Sequence, residues 1–118
     1  MKKSGFWILI FFLSVFSCND EDKISDVCNV DDPATDVEWI RELINSLEAN
    51  ENHSQIILYQ YKFKTAFLVD PCHQCPDALA VVYDCDHNVI CEFGGIAGLN
   101  TCPDFSNRAV YIDTLFSK

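Results

Sequence analysis

Cysteine is the residue type that brings the most chemistry to this chain. There are 7: Cys18, Cys28, Cys72, Cys75, Cys85, Cys91 and Cys102. Cys72-His73-Gln74-Cys75 has the Cys-x-x-Cys spacing of a thiol–disulfide exchange site, where one thiolate attacks and the second resolves the mixed disulfide. The same residues form one knuckle of a zinc site, which takes four ligands and often two such knuckles. Cys85 and Cys91 make a poor second knuckle; His73 or His87 would have to complete the set. A third chemistry is oxidation of the six cysteines after Cys18 into three bridges, with connectivity left open by spacing alone.

The elements around these residues decide between the three. An exchange cysteine is activated at a helix N-terminus, yet Pro76 follows Cys75 and a strand begins a few residues later. No long helix fits there. Three structural bridges are therefore the expectation, with no catalytic residue, no metal ligand and no cofactor assigned. Tyr83 is expected to face Val89 across a hairpin, which sets Val81 opposite Cys91 and leaves Cys85 in the turn. Cys85 and Cys91 are then too far apart to bond, since a bridge needs Cα atoms within about 7 Å. Cys85 is expected to reach the Cys72/Cys75 loop instead, while Cys28 or Cys102 clips a terminus.

Hydrophobic periodicity supplies the rest of the frame. Val37, Ile40, Leu43, Ile44 and Leu47 recur at i, i+3, i+4 and predict an amphipathic helix over 36–49, with Trp39 widening the stripe. Thr35 and Glu38 fit a capping box at its start. β-Branched and aromatic runs predict strands over 56–61, 65–69, 80–83 and 89–93, with turns at 62–64 and 84–88. Residues 71–76 and 94–98 read as loops, and 110–116 as a last strand or short helix. Tyr59, Tyr61, Phe63 and Phe67 make a candidate aromatic face, half of which is expected to fill the core. The predicted fold class is α+β: one N-terminal amphipathic helix packed on an antiparallel sheet of about four strands, stapled by disulfides.

Charge narrows the partners. The chain has 118 residues and a formal net charge of −10. Lys2 and Lys3 precede Cys18 and all 18 acidic side chains follow it, so the chain from Cys18 onward is more acidic still. That excludes nucleic acid, whose phosphates call for Lys and Arg, and argues against a polybasic membrane contact. Asp84 and Asp86 lack the spacing of a calcium loop, and Gly94 to Gly98 lacks the Lys of a phosphate loop.

The first 17 residues are expected to be a signal peptide: Lys2 and Lys3, then a short apolar run from Phe6, then a small residue, Ser17, before Cys18. Val15-Phe16-Ser17-Cys18 resembles the bacterial lipobox, with Phe16 bulkier than usual. That resemblance implies a diacylglyceryl group on Cys18, cleavage before it and acylation of the new amine. Asn19-Asp20-Glu21-Asp22 resembles the acidic stretch that sends some Bacteroidota lipoproteins to the outer cell surface. The expected organisation is a signal peptide over 1–17, lipidated Cys18 and an acidic tether over 18–34, and one domain over 35–118.

Asn29 to Pro33 with Trp39 to Ile44 resembles the opening of a group of small cysteine-containing lipoproteins of Bacteroidota. Val82-Tyr83-Asp84-Cys85-Asp86-His87-Asn88-Val89-Ile90 resembles their hairpin, which is also similar to that of PepSY-like domains. In that comparison His87 stands where Gly is commoner, so the turn is expected to hold a side chain at φ > 0. The group implies fold and location and carries no activity. The expected function is that of a lipoprotein anchored by lipid in the cell envelope, at the outer membrane, with the periplasmic and the surface-facing leaflet both open, acting as a non-enzymatic binding module for a protein or small molecule. A thiol-redox protein using Cys72 and Cys75, and an inhibitor of a secreted hydrolase, are the alternatives.

Overall fold

A computed structural model of the chain describes residues 27–118. The expected signal peptide, the lipidation site Cys18 and the acidic run after it lie outside the described residues. No helix among the described residues is long and apolar enough to cross a membrane.

The chain starts with a 3₁₀ turn, Val27–Asn29, and two helices, α1 (Pro33–Asp36) and α2 (Glu38–Ala49). The predicted single helix over 36–49 is thus divided. Asp32 accepts from the Ala34 N–H at 3.2 Å, and Pro33 stands at the first helical position. Asp36 in turn accepts from the Asp32 N–H at 3.1 Å. Pro suits that position because its missing N–H would be unsatisfied there anyway. This reciprocal cap outcompetes Thr35, whose hydroxyl donates to the Asp32 carbonyl and the Asp36 carboxylate and caps no N–H. Val37 is extended and separates the two helices. The α2 stripe is as expected: Ile40 and Leu47 are buried.

Six antiparallel strands follow: β1 (Gln55–Tyr61), β2 (Lys64–Asp70), β3 (Leu79–Tyr83), β4 (Val89–Gly94), β5 (Leu99–Asn100) and β6 (Val110–Ser117). A third short helix, α3 (Phe105–Arg108), precedes β6. The sheet order is β5-β4-β3-β2-β1-β6. The expectation of about four strands under one helix is corrected by two edge strands. β5 has two residues, too few to leave a pattern. β6 has eight, but its pairing with β1 slips at two bulges and most of it is exposed, so no period-two alternation marks it.

The order explains the layering. β6 must return from one edge of the sheet to the other, so residues 101–109 cross a face of the sheet on the way. On the first face, α2 covers Ile56, Leu58, Phe67 and Val69, and the core continues through Ile40 and Leu47. On the second, Phe105 from the crossing segment packs with Tyr61, Ala66, Val82 and Cys91. Gly94 sits where β4 turns away: at φ +90, a Cβ there would lie 2.5 Å from the Ala78 carbonyl oxygen. That approach explains why glycine occupies it.

Candidate functional site

The six cysteines from Cys28 onward form three bridges: Cys28–Cys85, Cys72–Cys75 and Cys91–Cys102, with Cα atoms 5.5, 5.3 and 5.6 Å apart. Cys85 does not reach the Cys72/Cys75 loop. That loop follows β2, whereas the Cys85 turn follows β3, and antiparallel neighbours put these at opposite ends of the sheet. Cys28 takes Cys85 and fastens the start of the domain. Cys102 takes Cys91 and fastens the crossing segment. Tyr83 does face Val89, but Val82, not Val81, pairs with Cys91. Ile90 is the extra residue of a bulge, which puts Cys91 on the second face, fully buried.

A cluster around Trp39 locks the β3–β4 turn to α2. The Trp39 indole N–H donates to the Cys85 carbonyl at 2.9 Å. Its ring stacks on His87 at 4.3 Å and meets Phe67 edge-on at 5.6 Å. His87 is at φ +70, as the hairpin resemblance implied. Asp84 closes the turn by accepting from the Asp86 and Asn88 N–H groups at 2.9 Å. Burial works to raise the Asp84 pKa, but these hydrogen bonds, the Asn88 amide and the Lys64 charge outweigh it, holding the carboxyl below its ordinary range. No local pattern pairs Trp39 with His87, because the contact spans two elements.

At the other end, the His73 N–H donates to the His53 carbonyl at 2.9 Å, and the two rings lie 5.9 Å apart. Cys75 is exposed and Cys72 buried. His87 is far from this loop. Among the described residues no three His, Cys, Asp or Glu side chains are grouped to hold a metal ion.

The second face carries an open apolar groove of about 400 Å³. Tyr59, Leu68, Ala80 and Phe93, one from each of four adjacent strands, form its floor, and Phe105 and Ala109 form its wall. Phe105 meets Tyr59 at 5.2 Å and Phe93 at 5.3 Å between ring centroids. Burial, and then the nearby Tyr111, push the Tyr59 pKa up. The volume lies in the range of small-ligand sites, which pair an apolar lining with a few polar groups. Of the candidate aromatic face, Tyr59 lines this groove, Phe67 and Tyr61 are buried, and Phe63 is 96% exposed.

Tyr61 is tied down by its hydroxyl, which donates to Asp104 at 2.6 Å. That bond is the leading reason the Asp104 pKa is lowered and the Tyr61 pKa raised. Arg108 adds an ion pair to Asp104 at 3.7 Å. Bridge and hydrogen bond together hold the crossing segment against the sheet and shape the groove wall.

A family model described as Domain of unknown function (DUF6970) matches residues 42–118. The match covers five of the six bridging cysteines and every residue named in the groove. No curated protein and no solved structure matches the chain.

Proposed function

We propose, for a chain that belongs to the DUF6970 family, that it is a cell-envelope lipoprotein anchored through Cys18, at the outer membrane and facing the cell surface. Its domain is a non-enzymatic binding module that takes an apolar group into the second-face groove. The observation that supports this most is that groove, floored by four strands and walled by a segment that a disulfide and a buried tyrosine hold in place. A site held before its ligand arrives loses less entropy on binding. The lipobox resemblance at Val15 to Cys18 supports the anchor, and the acidic run after it supports surface exposure.

The two halves of the proposal have separate tests. Cells fed an alkyne-bearing fatty acid are expected to label the chain, and Cys18→Ser to abolish the label. For the groove, the probe is the apolar dye anilinonaphthalene sulfonate. Saturable dye fluorescence is expected from the protein, and Ala80→Trp, which fills the floor, is expected to remove it while the fold persists. Undiminished dye binding by Ala80→Trp sinks the groove.

The thiol–disulfide alternative draws support from one arrangement: an exposed Cys75 bonded to Cys72 beside the His53 and His73 rings. Mass mapping under mild reduction decides it. Opening of Cys72–Cys75 well before the other two bridges, with turnover of a disulfide substrate, would establish it.

A further inference from the structure

We propose that the turn between β1 and β2 is a membrane-contacting tip. Phe63 enters the headgroup region of an anionic lipid surface, and Lys62 and Lys64 meet the phosphates around it. The proposal rests on the anchoring of the chain through Cys18 given above.

Lys62 and Phe63 form a two-residue hairpin turn, with φ of +52 and +64. Turns with two positive φ values favour Asn-Gly, and a bulky side chain there is an outlier. Strain of this kind gathers at functional sites. Nothing in the fold holds the Phe63 ring, which is 96% exposed. The charge around it runs against the rest of the molecule. The described residues contain five Lys and Arg: Arg41, Lys62, Lys64, Arg108 and Lys118. Three of them surround this ring: Lys62 and Lys64 flank it in sequence, and Arg108 shares a surface recess with Phe63 and Lys62. Arg108 is ion-paired to Asp104 at 3.7 Å, whereas among the described residues neither Lys62 nor Lys64 has an ion pair.

The path of the chain says which surface this tip meets. Cys28 is bonded to Cys85 in the neighbouring turn, at the same end of the sheet. Cys18 lies ten residues before Cys28, a reach of at most about 35 Å. A lipid on Cys18 therefore leads into the end that carries Phe63. The anchor also raises the local concentration of membrane at the tip, so one aromatic ring and two lysines suffice where they would not hold a free domain. Ile96 is 92% exposed as well. It lies between β4 and β5 at the opposite end, away from Cys28, and serves as the control.

The test uses the full mature chain purified from cells, placed in phosphatidylglycerol–phosphatidylcholine vesicles with brominated acyl chains. Phe63→Trp is compared with Ile96→Trp over the common Trp39 background. Phe63→Trp emission is expected to be quenched roughly two-fold more than Ile96→Trp emission, since interfacial side chains reach the acyl boundary. Adding Lys62→Glu and Lys64→Glu is expected to remove the difference. Equal quenching at the two positions overturns the tip. So does a photo-crosslinking residue in place of Phe63 that captures a protein and not lipid in intact cells. The intact mass of the same sample separates the two failures. A chain without acyl groups on Cys18 overturns the anchor and the tip with it; an acylated chain with equal quenching overturns the tip alone.

Discussion

Two hairpin turns lie side by side at one end of the sheet, and both hold non-glycine residues at positive φ. The β3–β4 turn is accounted for inside the fold. Asp84 closes it, Cys85 bonds Cys28, and His87 stacks on Trp39. The β1–β2 turn has no such support: Phe63 touches solvent on nearly every side. The same backbone strain is structural where side chains hold it. Where nothing holds it, the strain is what motivates the proposed membrane contact.

The largest effect expected from breaking this comparison is at the supported turn. Removing the Cys28–Cys85 bridge, which closes a separation of 57 residues, is expected to cost about 4 kcal/mol by chain entropy. Removing Cys91–Cys102, with a separation of 11, should cost about 3 kcal/mol on the same basis. Urea unfolding of the two double Cys→Ser variants checks the order. Trp39→Ala comes next, at about 3 kcal/mol, because it leaves a cavity over Phe67 and strips the Cys85 carbonyl of its donor.

Glycine substitutions then sharpen the contrast. Phe63→Gly is expected to stabilise the domain by about 1 kcal/mol, since it relieves strain and loses no packing. His87→Gly relieves the same strain but gives up the Trp39 stack, so its midpoint should stay within about 0.5 kcal/mol of the parent. A gain at His87 as large as that at Phe63 would erase the distinction between the turns.

The smallest effect is pH-dependent. The Asp104 pKa is lowered in the fold, so its contribution is present above pH 3.8 and is lost as pH falls through the depressed value. The Tyr61 pKa is raised, so its contribution is present below pH 10.0 and is lost as pH rises through the higher value. Melting temperature followed across both windows should fall off less steeply in Tyr61→Phe than in the parent.

Much of this fold is legible in the sequence, and the illegible parts share a cause. Ile40, Leu43, Ile44 and Leu47 announce α2 because a helix buries one stripe. Ile56 to Tyr61 and Thr65 to Val69 announce β1 and β2 through their residue types. β5 stays hidden because a two-residue edge strand buries little, and 110–116 reads as either a strand or a short helix because bulges break what alternation β6 has. Thr35 reads as the cap and Asp32 is the residue that caps, because both residue types cap helices and only the backbone shows which one does. The bulge at Ile90 likewise shifts Cys91 by one partner, and with it the face Cys91 occupies. The count of charges points away from a polybasic contact; it is blind to Lys62 and Lys64 flanking Phe63 on an exposed turn, and to Arg108, which folding brings beside them.

The sequence by itself determined that six cysteines are available to bridge, that the apolar stripe of α2 and four central strands form, and that the chain is strongly acidic. These follow from local composition and periodicity. Only the tertiary structure decided which cysteines pair, that β6 crosses to the far edge, that Phe105 thereby walls a groove, and that Trp39 meets His87. Each of those joins residues far apart in the chain, and such contacts are chosen by packing the whole sheet, not by any stretch of it.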